Sequence, residues 1–152
     1  MELLAPGSVA PDFSLLASNG QQVSLRQWLG KSVVLYFYPK DNTPGCTQEA
    51  CEFRDAQSQF EAKQAIILGV SRDPITAHTK FIGKFNLPFL LLSDPDGVVA
   101  GRYGVWKEKN MYGKKVMGIE RSTFIIDPQG VISHVFRKVK VAGHIEQVLK
   151  LL

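Results

Sequence analysis

The sequence predicts an α/β fold, a central mixed sheet flanked by helices. Two observations carry this. Short apolar runs alternate along the chain with stretches of helical spacing, and that alternation implies parallel strands covered by helices. Near the end, two apolar runs are joined by one tight turn, which adds an antiparallel edge.

Taken in order, residues 22–25 read as a short strand and 25–29 as a helical turn. Residues 32–38 form a continuous aliphatic and aromatic run, the pattern of a strand buried on both faces. Pro39 ends it. From Cys46 to about Gln64, Ala50, Phe53, Ala56 and Phe60 recur at helical spacing and make one apolar stripe. Residues 65–71 are a second apolar strand. Asp73-Pro74 then looks like an N-cap with proline at the first helical position. That helix runs to about Phe85 and buries Phe81 and Phe85. Residues 89–92 make a third strand, and Asp94-Pro95 opens a short helix ending near Tyr103-Gly104. Residues 123–126 and 131–136 flank Asp127-Pro128-Gln129-Gly130, with Asp, Pro and Gly where a type I turn wants them. A last helix covers 142–151. With no internal repeat, linker or low-complexity tract, one domain spanning 1–152 is expected.

The 152 residues suffice for one real core. At 45% apolar and 21% charged, the composition is that of a globular chain rather than a disordered one. No apolar run approaches the ~20 residues of a membrane helix, so no membrane partner is expected. Residues 1–10 show no basic stretch followed by an apolar one, so no secretory signal is expected.

Cys46 and Cys51 are the only cysteines. Cys46 sits where the buried run passes through Pro44-Gly45 into a helix. Thiolate is the nucleophilic form, and a helix N-terminus favours it through free N–H groups and the helix dipole. Cys46 also falls on the apolar stripe, so its sulfur should point inward at the floor of a pocket. Cys51 lies roughly 140° further around the helix, with its Cα on the order of 8–9 Å from that of Cys46. A disulfide needs Cα atoms within about 7 Å. Either the bond never forms, or the helix start unwinds to form it. Such unwinding is cheap where a helix end lacks a full set of hydrogen bonds. A pair so close in sequence staples no fold, so a reducing compartment, the cytoplasm, fits best, with the pair cycling.

Other groups fit the same chemistry. Thr43, three residues before Cys46, can accept a bond from a helix-start N–H or donate one to a thiolate or bound oxygen. Pro39 and Pro44 would stiffen the turn and shield the sulfur. The best candidate for a fixed cation is Arg121, just before the run 123–126. On its surroundings alone, Arg121 reads better as a structural ion-pair partner of Glu120 or Asp127 than as a catalytic group.

At these residues the chain resembles the peroxiredoxins, and within them the bacterioferritin comigratory protein branch. The family signature Pro-x-x-x-Thr-x-x-Cys is matched by Pro39, Thr43 and Cys46, and its distant arginine by Arg121 in Glu120-Arg121-Ser122-Thr123-Phe124. The strings Tyr36-Phe37-Tyr38-Pro39-Lys40-Asp41 and Glu49-Ala50-Cys51-Glu52-Phe53-Arg54-Asp55 look like this branch too. The resemblance implies a thioredoxin-like fold and a thiol peroxidase acting on hydrogen peroxide and organic hydroperoxides, without cofactor or metal. It implies that Cys46 attacks the peroxide and becomes a sulfenic acid, and that Cys51 is the resolving cysteine of an intramolecular disulfide. It further implies a thioredoxin-like protein reductant and a monomer. Lys107, Lys109, Lys114 and Lys115, and Arg137, Lys138 and Lys140, carry much of the net charge of +4; they read as solvated faces and a docking surface for an acidic reductant, not for nucleic acid.

Two other classes compete. A thiol–disulfide oxidoreductase would use Cys-x-x-Cys, which this chain lacks, and a redox switch or holdase would signal through helix unwinding alone. A zinc site lacks ligands at suitable spacing, and His78, His134 and His144 read as surface or helix-end residues. Asp94-x-Asp96-Gly97 echoes a calcium loop, but helix capping explains it better. Trp28 and Trp106 read as packing residues.

Overall fold

In the computed structural model, which describes residues 3–152, β3 (Ser32–Phe37) and β4 (Ala65–Ser71) run parallel, and β5 (Leu90–Ser93) joins β4 in parallel. The expectation of no leader over residues 1–10 falls in part on residues 1 and 2, outside the described residues. β8 (Ser122–Ile126) is antiparallel to β3, and β9 (Ile132–Phe136) closes that edge. At the other edge, β1 (Ser14–Ala17) is antiparallel to β5 and pairs with β2 (Gln22–Ser24). The strand order is β2-β1-β5-β4-β3-β8-β9. This is the mixed sheet predicted, and the arrangement is thioredoxin-like.

Alternation along the strands feeds two cores. Val33, Leu35 and Phe37 join Leu68, Val70, Phe124 and Ile126 on one face, covered by α4 (Val98–Arg102). Val34, Tyr36 and Tyr38 join Ile67 and Ile125 on the other. That second face lies under α1 (Pro44–Asp55), α2 (Gln57–Ala62), α3 (Ile75–Phe85) and α5 (His144–Lys150), through Phe53, Phe60, Phe81 and Ile145. The unbroken apolar run of β3 is therefore a strand with a core on each side.

Several elements differ from the expectation. The helix predicted from Cys46 to Gln64 breaks at Ala56 (φ −99°, ψ 4°) into α1 and α2, with no Gly or Pro to mark the break. Asp73 does not cap α3; its carboxylate is taken by the Asp41 N–H and the Ser71 hydroxyl, and Pro74 holds the cap position. The helix expected at Asp94-Pro95 starts at Val98, because Asp94 reaches forward to the N–H groups of Val99 and Ala100. That is the capping role anticipated for Asp94, delivered from further away. β1 is an additional strand. So are β6 (Trp106–Met111) and β7 (Lys114–Ile119), a hairpin outside the central sheet. Its two-residue loop, Tyr112-Gly113, has φ of +54° and +78°, as a hairpin turn of primed type requires.

Tyr36 lies opposite Gly69 in the ladder between β3 and β4. A Cβ at Gly69 would stand 2.8 Å from Leu91 Cδ2 and 2.9 Å from Tyr36 Oη. Gly69→Ala should therefore destabilise the protein by about 1–3 kcal/mol in urea unfolding. An unchanged midpoint would show that Tyr36 moves aside without cost.

Candidate active site

After β3 the chain passes Tyr38 and Pro39, turns at Asn42 in the left-handed region (φ +60°), and enters α1 with Thr43 at the cap position and Pro44 first. Asparagine tolerates that conformation better than most residues. Cys46 is the third residue of the helix. It is 2% exposed and shares a core layer with Tyr36, Ala50 and Phe53, so it faces inward, as the stripe predicts.

Arg121 arrives from the other strand. Ser122 pairs with Phe37, so Arg121, one residue earlier, reaches the level where β3 gives way to the loop before α1. Its Nη2 donates to Cys46 Sγ at 3.2 Å, and its Nη1 donates to Glu49 Oε1 at 2.6 Å. Glu49 is three residues past Cys46, on the same helix face. Gly45 leaves room for the guanidinium, since a Cβ there would stand 3.2 Å from Nη2. The backbone of Arg121 is fixed by the Val139 N–H, which donates to its carbonyl at 2.9 Å. The partner of Arg121 is thus Glu49, not Glu120 or Asp127.

The charges here are coupled. Glu49 is fully buried, and burial pushes its carboxyl from 4.5 to about 7 even though Arg121 pulls the other way. Its Oε2 has no hydrogen-bond partner among the described residues. Burial also works against the Arg121 charge, but Glu49 and Cys46 outweigh it and the guanidinium pKa rises.

The remaining predicted residues are placed differently from one another. The Thr43 hydroxyl donates to the Lys40 carbonyl at 2.8 Å, not to the sulfur, and it accepts no helix-start N–H. The loop turns back on itself before the helix, which brings that carbonyl within reach first. Pro39 and Pro44 are exposed. Cys51 sits half-buried on α1, and both cysteines are free thiols. Among the described residues, no group of three or more His, Cys, Asp or Glu side chains is arranged to hold a metal ion.

Two histidines are buried, and one of them corrects the expectation. His78 is not a surface residue but fully buried on α3, with Nδ1 2.6 Å from Asp41 Oδ2 and Nε2 3.0 Å from the Leu92 carbonyl. The Tyr38 hydroxyl donates to the other Asp41 oxygen at 2.5 Å. This cluster pins the loop between Pro39 and Thr43 to α3 and β5. His144 does stand at a helix end, but it is buried, 2.7 Å from Thr123 Oγ1. Burial, with Arg121 adding to it, lowers its pKa from 6.5 to about 4. The motif spacing does not single out Glu49, Asp41 or His78. Asp41 and Glu49 enter the sequence reading only as members of the quoted strings, and His78 only as a surface residue, because the partners that bury them lie far away in sequence.

The chain matches the AhpC/TSA family over residues 6–135. It is 51% identical over 146 residues to Peroxiredoxin Bcp of Bacillus subtilis, covering 96% of this chain and 93% of that one. Among solved structures it is similar to the bacterioferritin comigratory protein of Xanthomonas campestris, studied for alkyl peroxide reduction as trapped-intermediate and ligand complexes. The TM-score is 0.89, with 46% identity, over 98% of this chain and 94% of that one. A cysteine-to-serine variant of PrxQ from Xylella fastidiosa matches with a TM-score of 0.92 and 40% identity, covering 99% and 96% of the two chains.

The raised Glu49 pKa has a consequence for stability. The folded protein binds more protons than the unfolded chain between pH about 4.5 and about 7, so Glu49 makes stability fall as pH rises through that window. His144, lowered to about 4, works in the opposite direction between about 4 and 6.5. Comparing Glu49→Gln with the parent isolates the first effect. The stability of the variant relative to the parent should rise by about 1–3 kcal/mol from pH 4.5 to 8 in denaturant melts. A difference independent of pH would show that Glu49 ionises as an ordinary exposed carboxylate.

Proposed function

The chain belongs to the AhpC/TSA family, as a peroxiredoxin of the Bcp branch, and from that premise we propose that it reduces hydrogen peroxide and organic hydroperoxides with Cys46 as the attacking thiolate. The single observation that carries this assignment is the 3.2 Å contact from Arg121 Nη2 to Cys46 Sγ in the first turn of α1. A fixed guanidinium and a helix start both favour negative sulfur.

The steps follow from the groups present. The Cys46 thiolate attacks one peroxide oxygen. The S–O bond forms as the O–O bond breaks, the sulfur is oxidised to sulfenic acid, and the departing alkoxide or hydroxide takes a proton from solvent. Arg121 stabilises charge as it moves from sulfur to the leaving oxygen. Thr43 has committed its hydrogen to Lys40, so its oxygen is left as an acceptor for the peroxide O–H. Pro39 keeps the loop before α1 stiff. The Cys51 thiol then condenses with the sulfenic acid, forming the S–S bond and releasing water, after the first turns of α1 unwind. A dithiol protein of thioredoxin type takes up the disulfide and returns both thiols. The proposed enzyme acts as one domain holding Cys46, Cys51, Glu49 and Arg121 together, and as a monomer. The proposed setting is the cytoplasm, where such a reductant keeps the pair cycling. Among the described residues no helix is long and apolar enough to cross a membrane. The organic substrates are proposed on the alkyl peroxide reduction studied in the Xanthomonas relative.

Intact mass before and after one equivalent of peroxide tests the cycle. Loss of two hydrogens with a linked Cys46–Cys51 peptide is the expected result. Oxygen added at Cys46 alone would keep the peroxidase and remove Cys51 from it, and no mass change would end the proposal. Cys46→Ser should abolish peroxide consumption. Cys51→Ser should allow one oxidation and no thioredoxin-coupled turnover. Arg121→Met should slow Cys46 oxidation by about 10²–10³-fold in stopped flow, the scale of losing one fixed charge-stabilising donor; a loss under tenfold would move that role elsewhere.

A further inference from the structure

We propose that Arg54 is a positioning residue for the resolving step: it ties the end of α1 to α3 and so fixes where the unwinding that joins Cys46 to Cys51 stops. This rests on the disulfide of the proposed cycle. Arg54 is the last but one residue of α1, three past Cys51. Its Nη1 donates to the Phe85 carbonyl at 2.7 Å, and its Nε donates to Asp55 Oδ1 at 3.0 Å, which orients the guanidinium. Phe85 is the last residue of α3, where the final carbonyls lack helical partners. The N–H groups of Asn86 and Leu87 both turn back to the Ile82 carbonyl, so the Phe85 carbonyl is left to Arg54. A cation at that point also faces the negative end of the helix dipole.

The same helix holds the other end of the cysteine segment. His78, two turns before Phe85, has Nδ1 2.6 Å from Asp41 Oδ2, in the loop that leads into α1. Roughly 10 Å of α3 separates the front tie from the rear one. Among the described residues no side-chain hydrogen bond joins residues 44–53 to α3 between them. The stretch that carries both cysteines is therefore suspended from two points on one rigid element. A helix rises 1.5 Å per residue, and an extended chain about 3.3 Å. Unwinding between fixed ends thus creates slack instead of a longer span, and slack is what lets residues 46 and 51 approach. Behind Arg54 the chain has little to stop a spreading opening. The helix already breaks at Ala56, and α2 has only six residues, too few to hold as an isolated helix. Phe53 resists through its ring, and Arg54 fixes the backbone next to it.

The test compares amide hydrogen exchange of the full chain, reduced and after one equivalent of hydrogen peroxide, read by mass spectrometry on peptides from α1 and α2. In the parent, oxidation should speed exchange in α1 and leave Gln59 and Phe60 protected, since their N–H groups donate to the Ala56 carbonyl in α2. In Arg54→Met, oxidation should speed exchange in α2 by about tenfold or more, while the reduced variant stays within about twofold of the reduced parent. Arg54→Lys keeps a cationic donor and should restore most of the protection. The first oxidation of Cys46, followed with Cys51→Ser added, should be unchanged in Arg54→Met, because Arg54 does not touch that sulfur. A loss of protection equal in both redox states makes Arg54 a structural tie and overturns the proposal. So does an oxidised Met variant whose α2 stays as protected as the parent's. If Arg54→Met does not fold, the parent and Arg54→Lys decide: oxidation that opens α2 in the parent itself overturns the proposal. If peroxide produces no Cys46–Cys51 bond by intact mass, the resolving role of Cys51 fails first, and the two failures are told apart.

Discussion

The register between β3 and β8 decides whether there is a site at all. Phe37 faces Ser122 across the ladder, so Arg121 comes level with the loop that leads to Cys46. A slip of one residue would turn Arg121 to the opposite face of the sheet. What prevents the slip is the core rather than the site. Val34 and Ile125 pair on the face under α1, and Leu35 and Phe124 on the other, each fully or nearly fully buried. A polar contact far too weak to align two strands is therefore aligned by apolar burial on both sides of them.

The site places one guanidinium against two groups that can both be negative, Cys46 and Glu49. Glu49 is buried deeply enough to hold a proton to about pH 7. When it is protonated, more of the Arg121 charge is free for the sulfur. When it is ionised, it orients the fork through Nη1 and competes for the same charge. Arg121 is thus shared between the sulfur and the Glu49 carboxyl rather than dedicated to the sulfur. The Tyr38–Asp41–His78 cluster has a different task. It holds the loop between Pro39 and Thr43 from behind, so the start of α1 is presented from a fixed base.

The sheet was legible because its central strands are long, continuous and apolar, and because Pro39, Pro44 and the Asp127–Gly130 turn punctuate them. Cys46 was legible by the spacing of its motif, whereas the case for Arg121 came from the family resemblance, its own surroundings favouring an ion pair with Glu120 or Asp127. What stayed hidden has physical causes. β6 and β7 carry four lysines and a glutamate with little alternation, and they form through their Tyr112-Gly113 turn and each other's backbone. β1 is four residues long. Glu49 and His78 are polar residues at interior positions, and no local pattern distinguishes a buried, partnered side chain from a solvated one. Their partners, Arg121 and Asp41, lie 72 and 37 residues away in sequence. The Thr43 hydroxyl was correctly placed near the helix start, but its bond to Lys40 depends on the path of the loop, which follows from Asn42 in the left-handed region.

In the proposed cycle the oxidation step loosens the very helix that must open. A thiolate facing Arg121 makes a charge-assisted bond, on the scale of about 1.5–3 kcal/mol. Conversion to sulfenic acid removes the negative charge and most of that attraction, just when Cys46 has to leave. The buried apolar area that would then be exposed is small, though the Glu49–Arg121 pair would have to part. Between Pro44 and Cys51, the buried side chains other than Cys46 are Ala50 and Glu49, and Ala50 contributes little apolar area. Phe53 marks where melting would become costly. Its ring stacks on Tyr36 at 4.7 Å and meets Phe60 and Phe89 at 5.7 and 6.4 Å. An opening that stops short of Phe53 frees both cysteines and leaves this aromatic cluster whole. The helix can therefore open locally without unfolding the face of the sheet it covers.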